Sequence, residues 1–251
     1  MSCKRTELSN KTGRRDFSCA LLTMAPAARE EKADMGKQHI FFDLDGTLTD
    51  SMPGITRAVQ YALKRYGIQV DDLNVLKPFV GPPLPESFKE FYDFPDHDAH
   101  EAVFVFREYY NVKGWMENAP FPGVEAMLKR LRNAGKELYV ATSKPEDMAK
   151  RVLDHFGLTK YFQFVGGAED DGGEKLRVKK DQVIQYVMDS CGLEKKDEII
   201  MVGDRRHDIE GAKKTGISSV GVLYGYGGRE ELSEAGADWI TETPETLLEL
   251  L

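Results

Sequence analysis

From His39 onward the chain alternates between short apolar runs and stretches where apolar residues return roughly every three or four positions. The run His39-Ile40-Phe41-Phe42 empties into Asp43-Leu44-Asp45-Gly46, which predicts a buried strand ending in a polar loop. The pattern then turns helical. Pro53 suits a first helical turn, and Ile55, Val59, Ala62, Leu63 and Tyr66 share one face before Gly67. A second helix is predicted over 71–79, and the Gly81, Pro82, Pro83 and Pro85 loop precedes helices over 86–92 and 99–112. Phe88, Phe91, Phe94, Phe104, Phe106, Tyr109 and Tyr110 fall within this insert and read as its packing, not as a base-stacking platform.

Beyond the insert, strands and helices alternate. A helix starting at Pro122 carries Leu128 and Leu131 inward and stops at Gly135; a strand over 137–141 ends at Thr142-Ser143-Lys144-Pro145. A helix over 146–156, a strand over 162–165, a helix over 180–190 and a strand over 198–202 follow. After Gly203-Asp204-Arg205-Arg206-His207-Asp208 come a short helix to Thr215, strands over 217–223 and 237–240, and a last helix over 243–251. Such alternation predicts an α/β fold with a parallel sheet covered by helices. Ligands in that architecture bind outside the carboxyl ends of the strands, where each polar cluster falls.

Composition narrows the partners. A chain of 251 residues holds one sizeable core and a smaller insert. The net charge of -8 argues against a nucleic-acid polymer as partner, while leaving small anions accessible through a local metal and lysine. Cys3, Cys19 and Cys191 show neither metal-ligand spacing nor a disulfide framework, which suits the cytoplasm. No apolar run reaches the length of a membrane span. Residues 1–36 lack a sustained period and read as a disordered extension, with an upstream translational extension ending near Met35 as one origin. Gly13-Arg14-Arg15-Asp16-Phe17 also has the look of a twin-arginine export signal, although Ser18, Thr23 and Pro26 break the apolar part.

Asp43 and Asp45, two apart on extended backbone, point the same way and repel each other unless a cation intervenes. Mg2+ takes oxygen ligands and is commonly held by one or two carboxylates plus a phosphate. A calcium loop of the EF-hand kind is excluded by position, since Leu48 and Gly54 stand where it needs glycine and glutamate. The string Asp43-Leu44-Asp45-Gly46-Thr47-Leu48-Thr49-Asp50-Ser51 resembles the first motif of the haloacid dehalogenase superfamily, and the likeness extends to residue 251. Thr142 resembles the second motif, a hydroxyl that binds the transferring phosphoryl group. Asp204 and Asp208 resemble the fourth, in which the first carboxylate meets the metal and the second often acts through water. For the third motif, a lysine, Lys180 is favoured over its neighbour Lys179.

The order of motifs is most similar to the phosphoglycolate phosphatase-like branch. That resemblance implies a Rossmann-like core over 37–51 and 119–251, with a mobile helical cap over 52–118 whose loop around Gly81 faces the catalytic centre. It also implies a Mg2+-dependent phosphatase, monomeric or homodimeric, acting on a small phosphorylated metabolite. Phosphoglycolate is the leading substrate; 5'-nucleotidase and phosphosugar phosphatase or mutase activities are the alternatives within the superfamily. Asp43, Asp45, Thr142 and Lys180 are the expected catalytic residues, and Asp43, Asp45 and Asp204 the expected metal ligands, with Asp208 behind them. Gly46, Thr47, Ser143 and Gly81 are candidate substrate contacts, whereas Arg57 and Lys113 read as helix-surface charge.

The chemistry needs these groups together. An aspartate is ionised at neutral pH and attacks phosphorus without an activating base. Repulsion is the obstacle: at about 4 Å and an effective dielectric of about 20, each like-charge pair costs about 4 kcal/mol, and a phosphate dianion about 8. Uncompensated, that slows the reaction by nearly ~10^6, which Mg2+ and Lys180 would offset. Asp45 then serves as acid toward the leaving oxygen and as base toward the hydrolytic water. A phospho-aspartate receiver domain also gathers aspartates, a hydroxyl and a lysine, but it needs neither Asp45 nor the long helical insert.

Overall fold

The computed structural model describes residues 36–169 and 177–251; the expectations for residues 1–35 lie outside them. Within these residues six parallel strands form one sheet in the order β5 (Phe162–Ala168), β4 (Glu137–Pro145), β1 (His39–Phe42), β6 (Ile199–Gly203), β7 (Ser218–Val222) and β8 (Trp239–Thr241). The central strands are apolar on both faces because helices cover both. Ile40 and Phe42 pack with Leu44, Val140 and Val202 on one face. Phe41, between them in sequence, points to the other and meets Tyr139, Met201, Val183, Ile184 and Val187. This is an α/β fold with a Rossmann-like core.

Helices α1 (Met52–Arg65), α2 (Leu84–Tyr92) and α3 (Asp96–Tyr110) make up the insert after β1. They join through Ala58, Ala62, Leu63, Phe88, Ala102 and Phe106, and these residues are continuous with the core beneath the sheet. The chain leaves and re-enters the core side by side: β2 (Thr49–Asp50) pairs antiparallel with β3 (Ala119–Pro120), Thr49 opposite Pro120 and Asp50 opposite Ala119. Strands of two residues carry no readable period, so this pairing was not foreseeable from the pattern.

The remaining helices are α4 (Val124–Asn133), α5 (Glu146–His155), α6 (Lys180–Cys191), α7 (Arg206–Thr215), α8 (Arg229–Ala235) and α9 (Pro244–Leu250). Three expectations need adjustment. The segment expected as a helix over 71–79 is a 3-10 helix, Leu73–Phe79, where the Asp72 side chain accepts the Asn74 amide and Pro78 removes a backbone donor. Strand β4 runs on to Pro145, with a shift in its pairing to β5 between Ala141 and Pro145. Helix α8 was not expected, because in its polar sequence Leu232 alone is a buried apolar side chain and leaves no period to read.

Candidate active site

Parallel register brings the site together. Phe42 lies opposite Val140 on β4 and Val202 on β6, so Asp43, Thr142 and Asp204 emerge at the same end of three adjacent strands. The chain continues from β1 to β4 on one side and later to β6 on the other, making this end the topological switch point. Lys180 reaches in from the first turn of α6 and Asp208 from that of α7.

The Lys180 ammonium lies 2.8 Å from Asp43 Oδ1 and 2.8 Å from Asp208 Oδ1, and donates to the Ala141 carbonyl at 3.0 Å. Lys179 is exposed, so the helix start presents Lys180 to the site and its neighbour to solvent. Asp204 is held from two sides: the Thr47 hydroxyl donates to Oδ1 at 3.0 Å and the Tyr226 amide to Oδ2 at 2.8 Å. Carboxylate oxygens of Asp43, Asp204 and Asp208 all lie within 4.8 Å of one another.

One ammonium cannot neutralise three buried carboxylates, and the titration behaviour reflects that. Burial pushes the Asp43 carboxyl up to about 6; Lys180 pulls it down, Asp208 pushes it further up, and a hydrogen bond from Thr142 favours the anion. Burial, then Asp208 and Asp43, hold Asp204 well above the usual carboxylate range. Burial disfavours the Lys180 ammonium, but Asp208 and Asp43 more than reverse this and leave its pKa raised. The cluster is short of positive charge and made wholly of oxygen donors, which fits a hard divalent cation such as Mg2+.

The Asp45 carboxylate accepts from Lys144 Nζ at 2.7 and 3.0 Å and lies outside the three mutually adjacent carboxylates, a set that includes Asp208. The physical reason is Lys144, which lies two residues beyond Thr142 on β4 and also donates to the Tyr110 hydroxyl of α3 at 2.7 Å. The Thr47 hydroxyl spends its one hydrogen on Asp204, so it joins the site through the acidic cluster. Gly46 has φ +90°, and a Cβ there would collide with the Asp204 carboxylate, so the turn must be glycine for the strand end and the acidic cluster to meet.

Ser143 is half-buried beside Thr142. Gly81 has φ +107° and lies over Arg205, whose Nη1 donates to the Val80 carbonyl at 2.6 Å while its Nε donates to Glu231 at 2.9 Å. The insert loop is thereby tied to the loop that carries Asp204. Lys144 and Tyr226 were given no role from the sequence, and Tyr110 was read only as packing of the insert. The spacing Thr142-x-Lys144 on one strand was the available signal for the first; nothing local marks the tyrosines.

Residues 40–222 match the haloacid dehalogenase-like hydrolase family, and the chain belongs to it. A 5'-nucleotidase of Pseudomonas aeruginosa is 44% identical over 194 residues, covering 77% of this chain and 86% of the relative. The tyrosine-protein kinase PtkA of Mycobacterium tuberculosis is 37% identical over 84% of this chain and 68% of its own length. A phosphoglycolate phosphatase of Neisseria meningitidis is 33% identical over 81% of this chain and 88% of its own. Among solved structures, a predicted phosphatase from Clostridium acetobutylicum superposes with a TM-score of 0.81 at 44% identity, covering 85% of this chain and 97% of that one.

Proposed function

We propose that this phosphoric monoester hydrolase acts on a small phosphorylated metabolite, depends on Mg2+, and works through an aspartyl-phosphate on Asp43. The carrying observation is the pairing of Asp43 with Lys180 at 2.8 Å beside Asp204 and Asp208, a nucleophile set at the edge of a cluster that lacks positive charge. Bound there by Asp43, Asp204 and Asp208, Mg2+ would neutralise charge on the phosphoryl group and draw it toward the nucleophile.

The chain's own residues account for the rest. Lys180 holds the Asp43 carboxylate in place and faces the incoming phosphate with its charge. Thr142, buried on β4, offers a hydroxyl to the same group. Asp45 donates a proton to the leaving oxygen and afterwards removes one from the water that attacks the phosphoenzyme. A receiver role would leave the Asp45–Lys144 pair without chemical use. The lack of a disulfide framework in the cysteine pattern favours a cytoplasmic setting.

The relatives favour nucleoside 5'-monophosphates and 2-phosphoglycolate as the substrates to compare first. Phosphate release should be measured on both, and on a panel of sugar phosphates, with excess Mg2+ and with chelator. Turnover of at least one, abolished by chelator and by Asp43→Asn in a folded protein, is the expected result. Activity that survives either treatment removes the metal or the nucleophile from this reading.

A further inference from the structure

Lys144 lies on β4 with its side chain 4% exposed, and its ammonium has three donors and three short contacts. Two go to the oxygens of Asp45, at 2.7 and 3.0 Å, and the third to the Tyr110 hydroxyl at 2.7 Å. Its charge also lies 4.8 Å from the centre of the Tyr110 ring. With both oxygens engaged, the plane of the Asp45 carboxylate is set by Lys144, and no donor is left over for substrate.

Tyr110 belongs to the other side of the molecule. It ends α3 of the insert, is 5% exposed, and stacks on Phe106 with ring centres 5.1 Å apart, so it travels with that helix. The path from the insert to the reacting groups is therefore Tyr110, Lys144, Asp45, with hydrogen bonds at each step.

We propose that Lys144 is the positioning residue for Asp45, and that Tyr110 makes this positioning depend on where the insert sits. The inference rests on the reading of Asp45 as acid and base. Lys144 touches no reacting atom; it aligns the group that moves the proton. A shift of α3 either drags Lys144 with Tyr110 or releases it, and both turn the Asp45 carboxylate away from the leaving oxygen. Misplacement by about 1 Å costs on the order of 10^2 in rate.

The test uses the full chain with Mg2+ in single-turnover experiments on two donors. An alkyl phosphate needs a proton on its leaving oxygen; 2,4-dinitrophenyl phosphate does not. Lys144→Met should slow phosphoryl transfer from the alkyl phosphate by about 100-fold, and from the dinitrophenyl ester by less than about threefold, with KM nearly unchanged. Lys144→Arg should restore part of the alkyl rate. Tyr110→Phe should slow the alkyl reaction about three- to tenfold and add nothing in the Lys144→Met background. Equal slowing of both donors by Lys144→Met, or additive effects of the two changes, would overturn the assignment. If Lys144→Met fails to fold, Tyr110→Phe, which removes one oxygen, decides by the same contrast between donors. Asp45→Asn serves as reference: loss of the contrast there rejects the acid/base reading itself, separately from Lys144.

Discussion

Asp43 and Asp204 are both displaced upward, Asp43 from 3.8 to about 6, with burial as the first cause in each case. A carboxyl whose folded pKa exceeds its unfolded one binds more protons in the folded chain, so its contribution to stability falls as pH rises through that interval. Without metal, the Asp43 contribution to stability should therefore decline between pH 3.8 and about 6 as its carboxyl loses the proton, and Asp204, raised for the same first cause, contributes a decline of the same sign. Mg2+ held by these carboxylates would reverse the sign by supplying the missing positive charge. Thermal melts should thus show a larger Mg2+-induced rise at about pH 8 than at about pH 5, because protons compete with the ion at the lower value. An equal rise at both would mean that Mg2+ binds away from these carboxylates.

Among the elements, the two linkers are the part most open to test. Tyr226, in the loop after β7, donates its hydroxyl to Asp50 Oδ1 at 2.8 Å and accepts the Met52 amide at 2.9 Å, while its own amide binds Asp204. One residue therefore fixes the end of β2, the first amide of α1 and a carboxylate of the acidic cluster. Tyr226→Phe keeps the amide contact and removes only the hydroxyl, leaving the Asp50 carboxylate and the Met52 N–H each short of a partner. We expect a loss of roughly 1–3 kcal/mol by chemical denaturation, with phosphoryl transfer from a small aryl phosphate retained. Unchanged stability would show that water replaces the hydroxyl at both groups.

At the scale of the whole molecule, the chemical residues sit at one end of a sheet, and the insert contributes Tyr110 and the Gly81 loop above them. We propose that the insert also selects among substrates, by moving about the paired β2 and β3 linkers above an Asp43, Lys180 and Asp204 set that every substrate shares. Leu84, half-buried at the start of α2, is the side chain to change, since Gly81 at φ +107° tolerates no substitution without strain. Leu84→Ala should alter the ratio of kcat/KM between 2-phosphoglycolate and nucleoside monophosphates by about tenfold, while a small aryl phosphate changes by less than about twofold. One common factor on every substrate would make the insert a lid without selectivity.

The elements and their chemistry were legible in the sequence where the signal is local. An apolar run ending in Asp43, another ending before Thr142 and a third ending in Gly203-Asp204 determine a parallel sheet with polar strand ends, two of them acidic, because periodicity and side-chain alternation act within a few residues. The family motif likewise marks Asp43, Asp45, Asp204 and Lys180 by spacing. Tertiary structure alone decided which carboxylate each lysine serves. Lys144 meets Asp45 across 99 positions and Tyr110 across 34, while Tyr226 meets Asp50 across 176. No local period records such pairings: a lysine's flexible stem can reach several carboxylates, and burial against neighbouring elements selects among them.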